Sequence, residues 1–148
     1  MNIKAVIDAS IISALYIPEK YSDWAKKIIE TYEESHILDL TIYELLNVIY
    51  KKALVLKEIN EEEAKIVFES IKKFIKELCI IHKYDEVYEK AFEISMKFNI
   101  SIYDAAYIAL ALNMKTNFLT MDLKLKEKIK KTNLKEIIVT PIMKNDVK

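Results

Sequence analysis

Five short, mainly apolar segments recur along this chain, at residues 3–7, 37–40, 79–81, 117–120 and 137–139. A segment of that length with no polar face to turn toward water reads as a strand buried on both sides. Between them lie stretches with helical periodicity. Strands that alternate with helices, each strand covered on both faces, form a parallel sheet between helical layers. The expectation is an α/β fold with a central, mostly parallel sheet of about five strands.

The helices are placed by their end signals. Ser10 is expected to cap a short helix that Pro18 helps to end. Residues 22–34 read as amphipathic, with Trp24, Ile28 and Ile29 inward, and 41–56 as a further helix. Asn60, followed by Glu61, Glu62 and Glu63, caps a helix over 60–78. Residues 85–98 carry Val87, Ala91, Ile94 and Phe98 on one face; 101–114 and a basic 122–131 complete the set. No repeat, low-complexity tract or Gly/Ser linker interrupts the 148 residues, so one domain spanning 1–148 is expected.

Composition narrows the chemistry. The chain contains no glycine, which excludes the Gly-rich loops that cradle phosphates in P-loop and dinucleotide folds. It contains no arginine either, so every strong cation is a lysine, and phosphate contacts would be point charges rather than bidentate forks. With 23 basic and 23 acidic side chains the net charge is zero, and attraction for a polyanion must come from local clusters. No apolar run reaches the roughly 20 residues of a membrane span, and no signal peptide is expected. The single cysteine, Cys79, forms no internal disulfide, so a cytoplasmic location is expected.

Four acids stand out by position: Asp8 in Val-Ile-Asp-Ala-Ser, Glu44 in Tyr-Glu-Leu-Leu-Asn, Asp104 in Tyr-Asp-Ala-Ala-Tyr and Asp122 in Leu-Thr-Met-Asp. Parallel sheets bind ligands beyond the carboxyl ends of their strands, where strand order reverses. Asp8 and Asp122 fall at such ends. Glu44 lies one turn into the helix after the second strand, and Asp104 at a helix start. Each also has a structural use. Thr41-x-x-Glu44 fits a capping box, Ser101-x-x-Asp104 is its acidic variant, Asp122 is placed to cap the last helix, and Asp8 to serve the turn after the first strand. Capping does not require the four to converge, and it is compatible with pointing at a cation.

Convergent carboxylates repel one another, and without a cation some of their pKa values rise. Hard Mg²⁺ or Mn²⁺ offsets the repulsion, prefers oxygen ligands, polarises a scissile phosphate and makes water a nucleophile near neutral pH.

With those motifs in that order, nearly the full length of the chain resembles PIN-domain ribonucleases, particularly the small VapC-type toxins of prokaryotic toxin–antitoxin pairs. The resemblance implies a three-layer α/β/α fold and Mg²⁺- or Mn²⁺-dependent cleavage of single-stranded RNA, leaving 5′-phosphate and 3′-hydroxyl ends. It also implies a homodimer and inhibition by a cognate antitoxin protein. Asp8, Glu44, Asp104 and Asp122 match the acidic, metal-holding positions of the family. Ser10 and Thr120 match the small hydroxyls beside the first and last acids. Asn47, one turn beyond Glu44, is placed either to orient a ligand or water or to satisfy a helix interface.

Other constellations are weaker. Cys79 and His82 are an odd number apart on a strand and face opposite ways. His36 reads as an exposed residue ahead of the second strand. A haloacid-type phosphatase would want an acid where Ser10 stands. Lys124, Lys128 and Lys131 share a face at i, i+4 and i+7, either as solvated charges or as an RNA-backbone contact. Tyr16, Tyr43, Tyr103 and Tyr107 are candidates for base stacking or for the core. The rival function is a non-catalytic PIN-like module that binds RNA or protein.

Overall fold

The computed structural model describes residues 3–142. Strands β1 (Lys4–Ile7), β2 (Glu34–Leu38), β3 (Cys79–His82), β4 (Asn117–Leu119) and β5 (Ile138–Val139) form one sheet in the order β3-β2-β1-β4-β5, with every pairing parallel. Helices α1 (Ala9–Tyr16), α2 (Ser22–Glu30), α3 (Asp39–Tyr50), α4 (Glu61–Leu78), α5 (Tyr88–Phe98), α6 (Ile102–Met114) and α7 (Leu123–Ile129) connect and cover it.

Side chains alternate across the sheet, so β1, β2, β4 and β5 each feed two cores. β3 is not the strand buried on both faces that the sequence suggests, because it lies at the sheet edge with Ile80 and Ile81 exposed. Val6, Leu38 and Phe118 pack with residues of α5, α6 and α7 on one face. Ala5, Ile7, Ile37 and Leu119 pack with residues of α1, α3 and α4 on the other. This is the three-layer α/β/α arrangement, and it explains why the strands read as continuous apolar runs. The chain winds from β1 outward to β3, then returns to place β4 on the other side of β1. The β1/β4 junction is therefore the point where strand order reverses, and a crevice opens beyond the carboxyl ends of those two strands.

Several boundaries differ from the sequence expectation. Helix α2 stops at Glu30 rather than at residue 34, because Glu34 already pairs with Lys4 and its amide donates to the Ile3 carbonyl. Helix α3 starts at Asp39, two residues early, and passes at Lys51 into a π-helical turn, Lys51–Val55. A 3₁₀ turn, Tyr84–Glu86, replaces the first turn expected of the 85–98 helix. Helix α7 ends at Ile129, so Lys131 lies beyond it. Asn60 caps α4 as expected, with Glu63 reciprocating.

The absence of glycine shows in the backbone. The left-handed positions at Lys57, Asn99 and Lys115, with φ of 53°, 54° and 55°, are all taken by residues with a Cβ. Each lysine there costs roughly 1–2 kcal/mol, while asparagine is better tolerated.

His36 is not an exposed residue ahead of β2. It lies within the strand and is buried. Its Nδ1 sits 2.8 Å from His82 Nε2 on β3, and its Nε2 sits 3.0 Å from Glu34 Oε1. His82 Nδ1 reaches Glu86 Oε1 at 3.1 Å. A polar side chain can enter a two-faced strand when its neighbours satisfy it. Cys79 makes no dyad with His82, and burial pushes its thiol up to about 12, leaving it a packing residue. No helix among the described residues is long and apolar enough to cross a membrane.

Candidate active site

The crevice at the β1/β4 junction is a cleft of about 510 Å³, lined by Asp8, Ser10, Glu44, Asn47, Asp104, Thr120 and Asp122 together with Ala9, Ser13, Glu19, Val48 and Met121. All four expected acids and all three expected supporting residues therefore meet there. They arrive from different elements: Asp8 from the end of β1, Glu44 from α3, Asp104 from the first turn of α6, and Asp122 from the segment after β4.

Capping and convergence coexist at Asp8 and Asp122, while Asp104 stands in a first turn capped by another residue. Asp8, not Ser10, is the N-cap of α1, with Oδ1 accepting from the amides of Ser10 at 3.0 Å and Ile11 at 3.3 Å. Asp122 caps α7 by accepting from the Leu125 amide at 3.0 Å. Ser101 caps α6 by accepting from the Asp104 amide at 3.1 Å, which holds Asp104 in the first turn. The positive ends of three helix dipoles thus meet the acidic cluster and offset part of its repulsion. Glu44 is different. Because α3 begins at Asp39, Thr41 is inside the helix and no Thr41–Glu44 box forms; Glu44 Oε1 instead accepts from the Tyr107 hydroxyl at 2.5 Å.

The two small hydroxyls do more than flank the acids. Ser10 Oγ donates to Asp8 Oδ1 at 2.5 Å and accepts from the Met121 amide at 3.0 Å. Thr120 Oγ1 donates to Asp8 Oδ2 at 2.5 Å and accepts from the Asp122 amide at 3.1 Å. Each hydroxyl stitches the β4 exit to Asp8, and each has its acceptor side filled by a backbone N–H. Its proton therefore points at the carboxylate.

Even so, the cluster is electrostatically strained. Burial raises Asp8 to about 6 against the opposing hydrogen bonds from Ser10, Thr120 and Ile11, and the charge of Glu44 adds to the rise. Burial also raises Glu44, with Tyr107 working against it and Asp104 for it. Asp104 is raised by burial and then by Asp122, while Ser101 and Lys128 pull it down. Perturbed carboxylates gathered in a cleft are the pattern expected of a functional site.

A family model for the PIN domain matches residues 5–131. The chain belongs to the PIN-domain family. It is 41% identical over 125 residues to Ribonuclease VapC3 of Pyrobaculum aerophilum, which covers 84% of this chain and 94% of that protein. Among solved structures it is similar in fold to a toxin–antitoxin complex from Klebsiella pneumoniae, with TM-score 0.64 and 16% identity over 93% of this chain and 98% of that one. It is also similar in fold to the VapC20 toxin of Mycobacterium tuberculosis, described as cleaving the sarcin–ricin loop, with TM-score 0.60 and 12% identity over 77% and 86% of the two chains.

Around the cleft of this PIN domain, the lysines of α7 have separate uses. Lys126 Nζ is tied to the carbonyls of Lys135 and Ile138, and Lys130 pairs with Glu127. Lys128 Nζ donates to the Asn99 carbonyl at 3.2 Å, and its charge acts on Asp104. Lys124 and Lys131 are exposed, but the end of α7 at Ile129 removes the single helical face expected for all three. Of the tyrosines, Tyr107 is buried and Tyr16 packs against Phe74, while Tyr43 and Tyr103 remain exposed beside Glu44 and Asp104. Asn47 is exposed on the cleft wall rather than held in a helix interface.

Sequence reasoning missed Glu19, the contact between Thr41 and Tyr107, and the bond from Tyr107 to Glu44. Glu19 follows Pro18 with no motif to mark it. The others signal only through contacts 63 and 66 residues apart.

Proposed function

We propose that this PIN domain is a divalent-cation-dependent endoribonuclease that hydrolyses single-stranded RNA, with Asp8, Glu44, Asp104 and Asp122 as the acidic site. The observation that supports this most is the convergence of the four carboxylates at the point where strand order reverses, three of them raised by burial and mutual charge. Among the described residues no group of three or more His, Cys, Asp or Glu side chains is gathered closely enough to hold an ion, so waters and substrate phosphate oxygens would complete the coordination. An open, all-oxygen donor set of this kind fits Mg²⁺ or Mn²⁺, which keep several waters and take substrate phosphate oxygens, better than it fits Zn²⁺.

When bound, such a cation supplies Lewis-acid polarisation of the scissile phosphate and activation of water. The chain's own residues then have distinct tasks. Asp8, fixed through both oxygens, and Glu44, fixed through one, present charge at set positions. Asp104 and Asp122 extend that charge across the cleft. Ser10 and Thr120 keep Asp8 from rotating, Asn47 is placed to orient water or a phosphate oxygen, and Lys128 brings positive charge to the rim near Asp104.

The resemblance to a solved toxin–antitoxin complex and to Ribonuclease VapC3 supports a toxin role with a cognate antitoxin protein as partner, and a homodimer is proposed as the working assembly. Exposed apolar side chains are available for both: Tyr43, Leu46, Tyr50 and Leu54 along α3 and the π turn, and Tyr84, Tyr88, Phe92 and Met96 along the 3₁₀ turn and α5. A direct test is incubation of the purified protein with end-labelled single-stranded RNA. Internal cleavage in Mn²⁺ or Mg²⁺ that stops in excess chelator is the expected result; cleavage that survives chelation would overturn the cation requirement.

A further inference from the structure

Thr41 and Tyr107 are both buried, and both are polar at the hydroxyl. Leu38 N–H donates to Thr41 Oγ1 at 3.1 Å, Thr41 Oγ1 lies 2.6 Å from Tyr107 Oη, and Tyr107 Oη reaches Glu44 Oε1 at 2.5 Å. The four groups form a chain from the end of β2, through α3 and α6, back to the cleft.

Its proton positions follow from counting. The Leu38 amide can only donate, so Thr41 Oγ1 accepts there and sends its own proton to Tyr107. Tyr107 has one proton, and with Thr41 donating to its oxygen that proton goes to Glu44. The reverse order would leave Thr41 with two incoming protons and its own pointed at nothing, in a site with no solvent to receive it. Among the described residues no buried side-chain polar atom lacks a partner. Tyr107 is clamped against rotation by Phe118, whose ring stacks at 4° with centroids 5.1 Å apart. Among the described residues, Oε1 is the one oxygen of Glu44 with a hydrogen-bond partner.

We infer that Thr41 and Tyr107 are positioning residues for Glu44: a one-directional hydrogen-bond relay, anchored on the Leu38 amide, holds Oε1 and leaves Oε2 to face a cation in the cleft. The inference rests on the cation-dependent reading above. It repeats at Glu44, through two side chains, the backbone-to-hydroxyl-to-carboxylate construction that Ser10 and Thr120 make at Asp8.

The test is Mn²⁺ affinity of the full chain, read from the free-ion signal in electron paramagnetic resonance, with thermal unfolding in chelator as the control for folding. Tyr107→Phe keeps the ring and removes the donor, and it is expected to weaken Mn²⁺ binding by roughly tenfold or more, as loss of an outer-sphere partner does. Thr41→Val is expected to weaken it similarly, and Thr41→Ser, which restores the hydroxyl, to return it to within about twofold of wild type. Because both act through one chain, the Tyr107→Phe/Thr41→Val double variant is expected to bind no worse than the weaker single variant. Tyr107→Phe binding Mn²⁺ as wild type does, or losses that multiply in the double variant, would overturn the relay. A wild-type protein that binds no Mn²⁺ would overturn the cation reading itself, and the relay's role with it.

Discussion

Thr120, the first residue after β4, donates its hydroxyl proton to Asp8 Oδ2, the first residue after β1, across 112 positions of sequence at 2.5 Å. β1 and β4 are adjacent and parallel, with Ile7 opposite Leu119, so the two strands deliver these residues side by side. The bond ties the reversal point of the sheet to its most strongly perturbed acid.

The price of that position appears in the pH dependence of stability. Asp8 is raised from 3.8 to about 6 in the folded protein. Below about 4 it is protonated folded and unfolded, and above about 6 it is ionised in both. Between these limits the folded state holds the extra proton, so this residue's contribution falls as pH rises through the window. A shift of about two units corresponds to roughly 3 kcal/mol, and partial solvent contact through the cleft trims this to about 1–3 kcal/mol. In chelator, Asp8→Asn is expected to be no less stable than wild type at pH 7. Its advantage should shrink as pH is lowered from about 6 to about 4. Denaturant unfolding at stepped pH checks this, and a gap that widens on acidification would be the wrong sign.

Glu44 separates helix capping from the site. It caps nothing here, and glutamine can still accept from the Tyr107 hydroxyl. Glu44→Gln is therefore expected to stay within about 1 kcal/mol of wild type in chelator. It should lose RNA cleavage by more than the roughly 10–100-fold that an outer-sphere change costs. Paired thermal melts and initial cleavage rates decide it; a large loss of stability with activity per folded molecule retained would make Glu44 structural.

Much of this was legible in the sequence because the relevant signals were local. Apolar runs marked the five strands, and the four acids were conspicuous for standing just after strands or at helix starts. Where polar residues found partners across the sheet, local pattern failed. Glu34 and His36 looked like a helix tail and a solvated residue because the pairing of Glu34 with Lys4 and of His36 with His82 is tertiary. The Thr41 signal was read as a cap for a helix that starts two residues earlier. The Tyr107 hydroxyl was hidden in a run whose apolar residues made it look like core, which it also is.

The lysines at the rim give a salt-dependence prediction. Lys128 sits near Asp104, and Lys124 and Lys131 are exposed on either side of it in sequence. If all three follow the backbone of a bound single strand, changing them to glutamine in an Asp104→Asn background should reduce the log–log salt slope of RNA binding by about 2, at roughly 0.7 per lost phosphate contact. Fluorescence anisotropy at several salt concentrations measures it. An unchanged slope would move the RNA track away from α7.

The account depends most on the four carboxylates holding a cation together. Thermal unfolding of wild type and Asp104→Asn across a Mn²⁺ titration, with cleavage of single-stranded RNA followed at each concentration, tests this directly. Wild type is predicted to gain stability as the ion binds the folded state, by about 2.7 kcal/mol at a hundredfold excess over Kd, and to gain cleavage over the same range. Asp104→Asn is predicted to fold but to show little of either response. Equal Mn²⁺ stabilisation of the two proteins, or undiminished cleavage by Asp104→Asn, would contradict the account.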